Sequence, residues 1–301
     1  YPEPMGKGYI RTPGIADEAQ VRAWRKVTDA VHAEGGRIAA QIMHAGRISL
    51  PNFLPGRATP VAPYAVQPSG SGYTDEGMKP HPLPRALEVG EIVGIVEGFA
   101  RATERALRAG FDAVELHGGG GYLPMQFLSS GTNLRTDGYG GGLGARSRFM
   151  LEVLEAMVSV AGPHRVGLKL TPEMPYNEAI DATPAETYSY VVRAADSMGL
   201  AFLEVGSYGE SVDYHDILRP LFSGAYFRGV GLTPPLAAQV VEWGEADAAI
   251  FGQAFIANPD LPDRIQQGAA LADADPATFY TPGPHGYIDY PALPASVRRV
   301  A

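Results

Sequence analysis

Short, nearly continuous apolar runs alternate with capped amphipathic stretches along most of the chain. Six runs read as strands: Arg37 to Met43, Phe111 to Leu116, Val166 to Leu170, Phe202 to Val205, Ala225 to Gly229 and Asp247 to Phe251. Runs that are apolar on both faces suit a parallel sheet covered on both sides. The stretches between them carry helix signals. Asp17 with Gln20 opens a helix whose face holds Val21, Trp24, Val27 and Val31. Ile92, Ile95, Phe99, Ala102 and Ala106 repeat at helical spacing and stop at Gly110. Thr183, Pro184 and Glu186 form a capping-box pattern closed by Gly199. Thr233-Pro234 starts a helix that stops at Gly244, and Asn258-Pro259 one that stops at Gly268.

Strand–helix alternation of this kind predicts an α/β protein, a (β/α)8 TIM barrel, with a doubly wound sheet as the other candidate. A closed barrel needs eight strands, and the helix from Asp17 precedes the first run. About two βα units are therefore expected to be absent from the N-terminal end of this sequence. The chain, 1–301, reads as a single barrel domain. One connection, from about 44 to 90, is rich in Pro, Gly and Ser and follows a strand, so in a barrel it lies on the active-site face. Its Ser69–Gly72 segment lacks the first glycine of a nucleophile elbow and reads as a flexible linker.

Composition narrows the function classes. In 301 residues, 33 Asp and Glu outnumber 24 Lys and Arg, a net charge of −9, which argues against the basic face a nucleic-acid binder needs. With no cysteine there is no disulfide, thiolate nucleophile or thiolate metal site. The seven histidines form no H-x-x-x-H pair, so no metal is expected. No apolar stretch reaches membrane-helix length and no secretory segment opens the sequence, so no membrane association and a cytoplasmic location are expected.

Chemistry in a barrel belongs at the strand ends. Gln41 and His44 end the first run, and His117 and Tyr122 follow the second, with Gly118–Gly121 between them. That glycine run fails the G-x-G-x-x-G pattern and reads as a tight turn with close backbone approach. A histidine can donate to a carbonyl where negative charge develops, and a tyrosine can protonate a carbanion-like centre. The bland reading is a strand-capping His and a packed Tyr. Lys169 sits in an apolar strand and needs an anionic ligand or an ion pair with Glu204 or Glu115. Gly229, Gly231 and Gly252, at two successive strand ends, fit either a phosphate site or plain turns.

Taken together, Gln41-Ile42-Met43-His44-Ala45-Gly46-Arg47, Val114-Glu115-Leu116-His117, Gly121-Tyr122 through Gln126-Phe127-Leu128-Ser129, and Asn133 through Gly141 resemble the Old Yellow Enzyme family. So do Phe255 through Leu261 and the tail around Phe279-Tyr280 and Asp289-Tyr290-Pro291. The resemblance implies a barrel that binds FMN, takes hydride from NADH or NADPH, and reduces an alkene conjugated to a carbonyl or nitro group. It implies that Gln41 bonds the flavin pyrimidine edge, that His117 holds the substrate oxygen and that Tyr122 protonates the α-carbon. Tyr9 and Tyr280 would line the substrate pocket, and Gly231 and Gly252 would offer backbone N–H groups to the phosphate. Three positions depart from the family pattern. Gly120 stands at the second substrate-binding position, usually His or Asn. Lys169 replaces the arginine beside the flavin, and Gln253 the arginine on the phosphate. These departures support an alternative: a flavin-free relative using the same pocket for redox-neutral isomerisation or cyclisation of an unsaturated substrate.

Overall fold

A computed structural model describes residues 1–209 and 212–294. It divides into two compact units, Tyr1–Phe227 and the segment from Arg228 onward.

The first unit carries strands β1 (Ala39–Ile42), β2 (Ala113–His117), β3 (Val166–Leu170) and β4 (Phe202–Gly206), and most of β5 (Ala225–Gly229), hydrogen-bonded in sequence order. The first three pairings are parallel. Their register sets Gln41 beside Glu115, His117 beside Lys169, and Lys169 beside Glu204. Alternation then separates two faces. Val114, Leu116, Leu168, Leu170, Leu203 and Val205 are fully buried on one, and Gln41, Glu115, His117, Lys169 and Glu204 share the other.

Helices α1 (Glu18–Ala33) and α2 (Val89–Arg108) form where the pattern placed them. The Asp17 carboxylate accepts from Gln20 N at 2.9 Å, satisfying an orphan donor of α1. In α2 the Glu91 carboxylate reaches back to Glu88 N at 2.9 Å, and Gly110, at φ +94°, supplies the left-handed exit. Short α3 (Leu123–Leu128) and long α4 (Leu143–Ala161) lie between β2 and β3. Phe149, Met150, Val153, Leu154 and Met157 of α4 are fully buried, each contributing about 1.5–3 kcal/mol of hydrophobic stabilisation. α5 (Pro184–Ser197) and α6 (Tyr214–Leu218) complete the unit's helices. Thr183 precedes α5 as expected, but its side chain makes no capping hydrogen bond.

The long connection after β1 is more ordered than its composition implies. Val61–Ala62 pairs with Arg85–Ala86, and Ser71–Thr74 forms a hairpin with Gly77–Pro80. Ser69–Gly72 is therefore no flexible linker: Ser69 is held through its N and Oγ by the Glu178 carboxylate, and Ser71 and Gly72 are in the hairpin. Buried Arg47 ties this connection to the loop after β3, donating to the carbonyls of Val66 (3.1 Å), Asn177 (2.7 Å) and Glu178 (3.0 Å).

In the second unit the Arg228 carbonyl accepts from Ile250 N at 2.9 Å, beside strand β6 (Ala248–Ala249). α7 (Pro234–Glu242) is capped by Thr233, and α8 (Gln253–Ala257) follows Gly252. α9 (Leu261–Gln267) starts two residues later than Asn258-Pro259 indicates, with Asp260 at its N-cap. Asn258 instead bonds Ala254 O and both backbone groups of Ala272, so its amide pins the following chain rather than capping a helix.

Candidate active site

The polar face of β1–β4 carries one connected set of charges. Lys169 Nζ lies 2.5 Å from Glu204 Oε1, so of its two candidate partners Glu204 makes the ion pair. Gln41 donates through Nε2 to Glu115 Oε2 at 2.5 Å. Glu115 Oε1 is buried and faces no donor. Burial first, and the neighbouring Glu204 carboxylate second, push the Glu115 carboxyl up to about 7. A proton on Glu115 relieves the repulsion and can be shared with Glu204, whereas Lys169 and Gln41 act in the opposite direction.

His117, at the end of β2, is neutral at physiological pH. Burial, assisted by the Lys169 charge, pushes its imidazole down to about 3. Its Nδ1 accepts from Gly119 N at 3.4 Å, which assigns the proton to Nε2. A neutral donor therefore stands at the strand end, beside Lys169 in register.

The four-glycine turn holds this donor against other protein groups. Gly118 N continues the ladder to Lys169 O at 2.8 Å. A Cβ on Gly119 would lie 2.3 Å from Thr171 Oγ1, and one on Gly120 would lie 2.7 Å from Tyr122 Cε2 and 3.2 Å from His117 Nε2. Gly120 N donates to Thr171 Oγ1 at 2.8 Å, and its carbonyl accepts from Asn177 Nδ2 at 2.7 Å. Gly120 thus lets the Tyr122 and His117 rings close onto the turn, and its backbone polar groups are already engaged.

Tyr122 is the N-cap residue of α3, a helix whose residues are all buried. Gln126 in that helix brackets two loops, donating to Ala45 O at 3.1 Å and Gly121 O at 2.8 Å and accepting from Arg47 N at 3.2 Å. The Tyr122 and His117 rings meet edge-on, with centroids 5.1 Å apart. The Tyr122 hydroxyl is 2.7 Å from that of Tyr9. Tyr9 belongs to an N-terminal segment stitched to the loop after β1: Ala45 N donates to Gly6 O at 3.0 Å and Ser49 Oγ to Lys7 O at 2.7 Å.

Gln41, Lys169, His117, Gly120, Tyr122 and Tyr9 are therefore linked by contacts within the first unit. Glu115, Thr171 and Asn177 join them. The sequence alone offers Glu115 as a partner for Lys169 and as part of a family motif, and marks neither Thr171 nor Asn177. Thr171 was detectable, since it directly follows β3 on the side where strand-end chemistry is expected. Gly231, Gly252, Gln253 and Tyr280 belong to the second unit. There Gly231 has φ +71°, and a Cβ on Gly231 or Gly252 would meet nothing within 4 Å. Tyr280 is almost wholly exposed. Among the described residues no group of three or more His, Asp or Glu could hold a metal ion, and no helix is long and apolar enough to cross a membrane.

The sequence profile described as NADH:flavin oxidoreductase / NADH oxidase family matches residues 1–272. A probable flavin mononucleotide-dependent alkene reductase of Leishmania infantum is 41% identical over 298 residues, 95% of this chain and 82% of the relative. 12-Oxophytodienoate reductase 2 of Arabidopsis thaliana is 39% identical over 300 residues, 95% and 79% of the two chains. Among solved structures, morphinone reductase in complex with tetrahydroNAD superimposes with a TM-score of 0.93 at 42% identity, covering 99% of this chain and 84% of that one. The old yellow enzyme homologue from Zymomonas mobilis gives a TM-score of 0.94 at 34% identity, covering 97% and 84%. The α/β fold of this chain is the one these enzymes share.

Proposed function

The chain belongs to the NADH:flavin oxidoreductase / NADH oxidase family, and on that premise we propose that it is an FMN-dependent reductase of alkenes conjugated to a carbonyl or similar group. The observation that carries this reading is His117, its Nδ1 accepting from Gly119 N and its Nε2 left to donate, with its ring edge-on to that of Tyr122 at 5.1 Å.

The residues present fit the flavin. A carboxamide (Gln41) and an ammonium (Lys169) on one sheet face match a ring edge of carbonyl oxygens and nitrogens. In the second unit, glycine backbone at Gly231 and Gly252 with no side chain nearby suits the approach of a phosphate, with Gln253 as a neutral donor. Lysine in place of arginine keeps the charge without the planar fork. Glutamine in place of arginine gives up a charge-assisted hydrogen bond, on the order of 1.5–3 kcal/mol. Each substitution taken by itself gives a weaker hold than an arginine at that position would.

Bound FMN would supply the two-electron step between NADH or NADPH and the substrate. The chain's own residues do the rest. His117 Nε2 donates to the substrate oxygen and stabilises the charge that gathers there. Tyr122 gives a proton to the α-carbon. Gly120 carries no side chain where a second donor would otherwise stand, and the Tyr122 ring closes onto that position. The substrate is a small unsaturated carbonyl-type molecule, and the setting is cytoplasmic.

The test is NADPH- or NADH-dependent reduction of a conjugated enone by the purified protein and by Tyr122→Phe. The reading expects loss of about 100-fold or more in the variant, the usual weight of a general acid. Unchanged turnover removes Tyr122 as the proton donor. The redox-neutral alternative draws on the Glu115 carboxyl, which exchanges a proton near pH 7. It is favoured only if the protein takes up no flavin and still converts an unsaturated substrate.

A further inference from the structure

We propose that Tyr9 is a positioning residue that holds the Tyr122 hydroxyl and resupplies its proton from solvent. The inference rests on the reading above, in which Tyr122 is the proton donor. Its structural basis is the 2.7 Å contact between the two hydroxyls. Either oxygen can be the donor in that contact, so it serves both before and after Tyr122 loses its proton.

The surroundings give the pair a direction. Tyr122 is half-buried, with His117 edge-on to its ring at 5.1 Å and Gly120 so close that a Cβ there would lie 2.7 Å from Tyr122 Cε2. Tyr9 is 40% exposed, so of the two hydroxyls it is the one nearer to water. The Tyr9 ring is also held in place. It meets the Tyr122 ring edge-on at 6.4 Å, and Gly8 packs so closely on Ala45 that a Cβ there would lie 2.6 Å from the Ala45 Cβ.

The step balances without any redox change. The Tyr122 O–H bond breaks as a C–H bond forms at the substrate's anionic α-carbon, and the electron pair stays on the Tyr122 oxygen. The Tyr9 hydroxyl proton passes to that oxygen. Tyr9 then takes a proton from water, and the hydroxide is neutralised by buffer. One solvent proton has reached carbon.

Two measurements test this. In flavin-free protein labelled with 3-fluorotyrosine, ¹⁹F NMR follows the ionisation of Tyr122, assigned by its disappearance in Tyr122→Phe. Tyr9→Phe removes a hydrogen bond to the phenolate, and the Tyr122 pKa should rise by about one unit. An unshifted or lowered pKa overturns the proposal. In the flavin-loaded enzyme reducing 2-cyclohexenone, Tyr9→Phe should lower kcat by about threefold or more while KM stays within about twofold, and it should add nothing in a Tyr122→Phe background. A raised KM with unchanged kcat, or an additive double variant, reduces Tyr9 to a pocket wall and overturns the proposal. A wild-type enzyme that shows the pKa coupling but reduces no enone supports the hydroxyl pair and overturns the reductase reading alone.

Discussion

Replacing Gly120 by alanine tests whether the turn after β2 is built around an absent side chain. Gly120 has φ +64°, a conformation that costs an L-residue about 1–2 kcal/mol. The added Cβ would lie 2.7 Å and 2.9 Å from Cε2 and Cδ2 of Tyr122 and 3.2 Å from His117 Nε2. Overpacking of that kind costs about 1–3 kcal/mol. The turn cannot slide away freely, because Gly120 N is held by Thr171 and its carbonyl by Asn177. Restricting the unfolded chain returns about 0.4–1 kcal/mol. The net expectation is a loss of about 1–5 kcal/mol in urea unfolding. If the strain is relieved by displacing the Tyr122 ring, the loss shows in enone turnover as well, because the contact with Tyr9 breaks. Unfolding within about 0.5 kcal/mol of wild type, together with unchanged turnover, would refute the reasoning.

Other perturbations follow from the charged face and the caps. The Glu115 carboxyl, raised from 4.5 to about 7, binds more protons folded than unfolded between those values, so its contribution to stability falls as pH rises through that window. Glu115→Gln should remove that decline, seen as urea midpoints that gain on wild type between pH 5 and 8; parallel curves would contradict it. Lys169→Gln leaves Glu204 facing Glu115 without its cation and should cost about 1–3 kcal/mol at pH 8, less at pH 5 where Glu115 carries a proton. Asp17→Ala removes the cap of α1 and should cost about 1 kcal/mol in thermal unfolding. Because His117 is already neutral well above its value of about 3, a pH–rate profile should show no imidazole ionisation between pH 5 and 8.

The periodic elements were legible because their signals are local. All six apolar runs contain a strand, although the last shrinks to Ala248–Ala249, and the helices at Asp17 and Ile92 begin and end near their caps. Helix α4 was equally legible in principle, since Phe149, Met150, Val153, Leu154 and Met157 recur at helical spacing. It lacks a Ser, Thr or Asp cap, its N-cap being Gly142, and it is easily passed over. Side-chain partnerships that depend on three-dimensional register were not readable. Asn258 sits at a good capping position but is captured by Ala272, and Thr183 begins a capping-box pattern without closing the bond. The glycine- and serine-rich connection hid a hairpin, because composition marks turns without showing what pairs across them. At the site, position at the strand ends brought His117, Tyr122, Gln41 and Lys169 forward, and the family resemblance supplied their expected roles. The tautomer of His117, the choice of Glu204 over Glu115 as partner of Lys169, and the support from Thr171 and Asn177 required coordinates.

The central claim is that the chain binds FMN and uses it to reduce a conjugated enone. The most direct measurement is the visible absorption spectrum of the purified protein titrated with FMN under anaerobic conditions, then with NADPH or NADH, then with a conjugated enone. The account predicts a bound-flavin band that bleaches with the nicotinamide and returns with the enone. A protein that stays colourless, binds no FMN and leaves the enone untouched would contradict it.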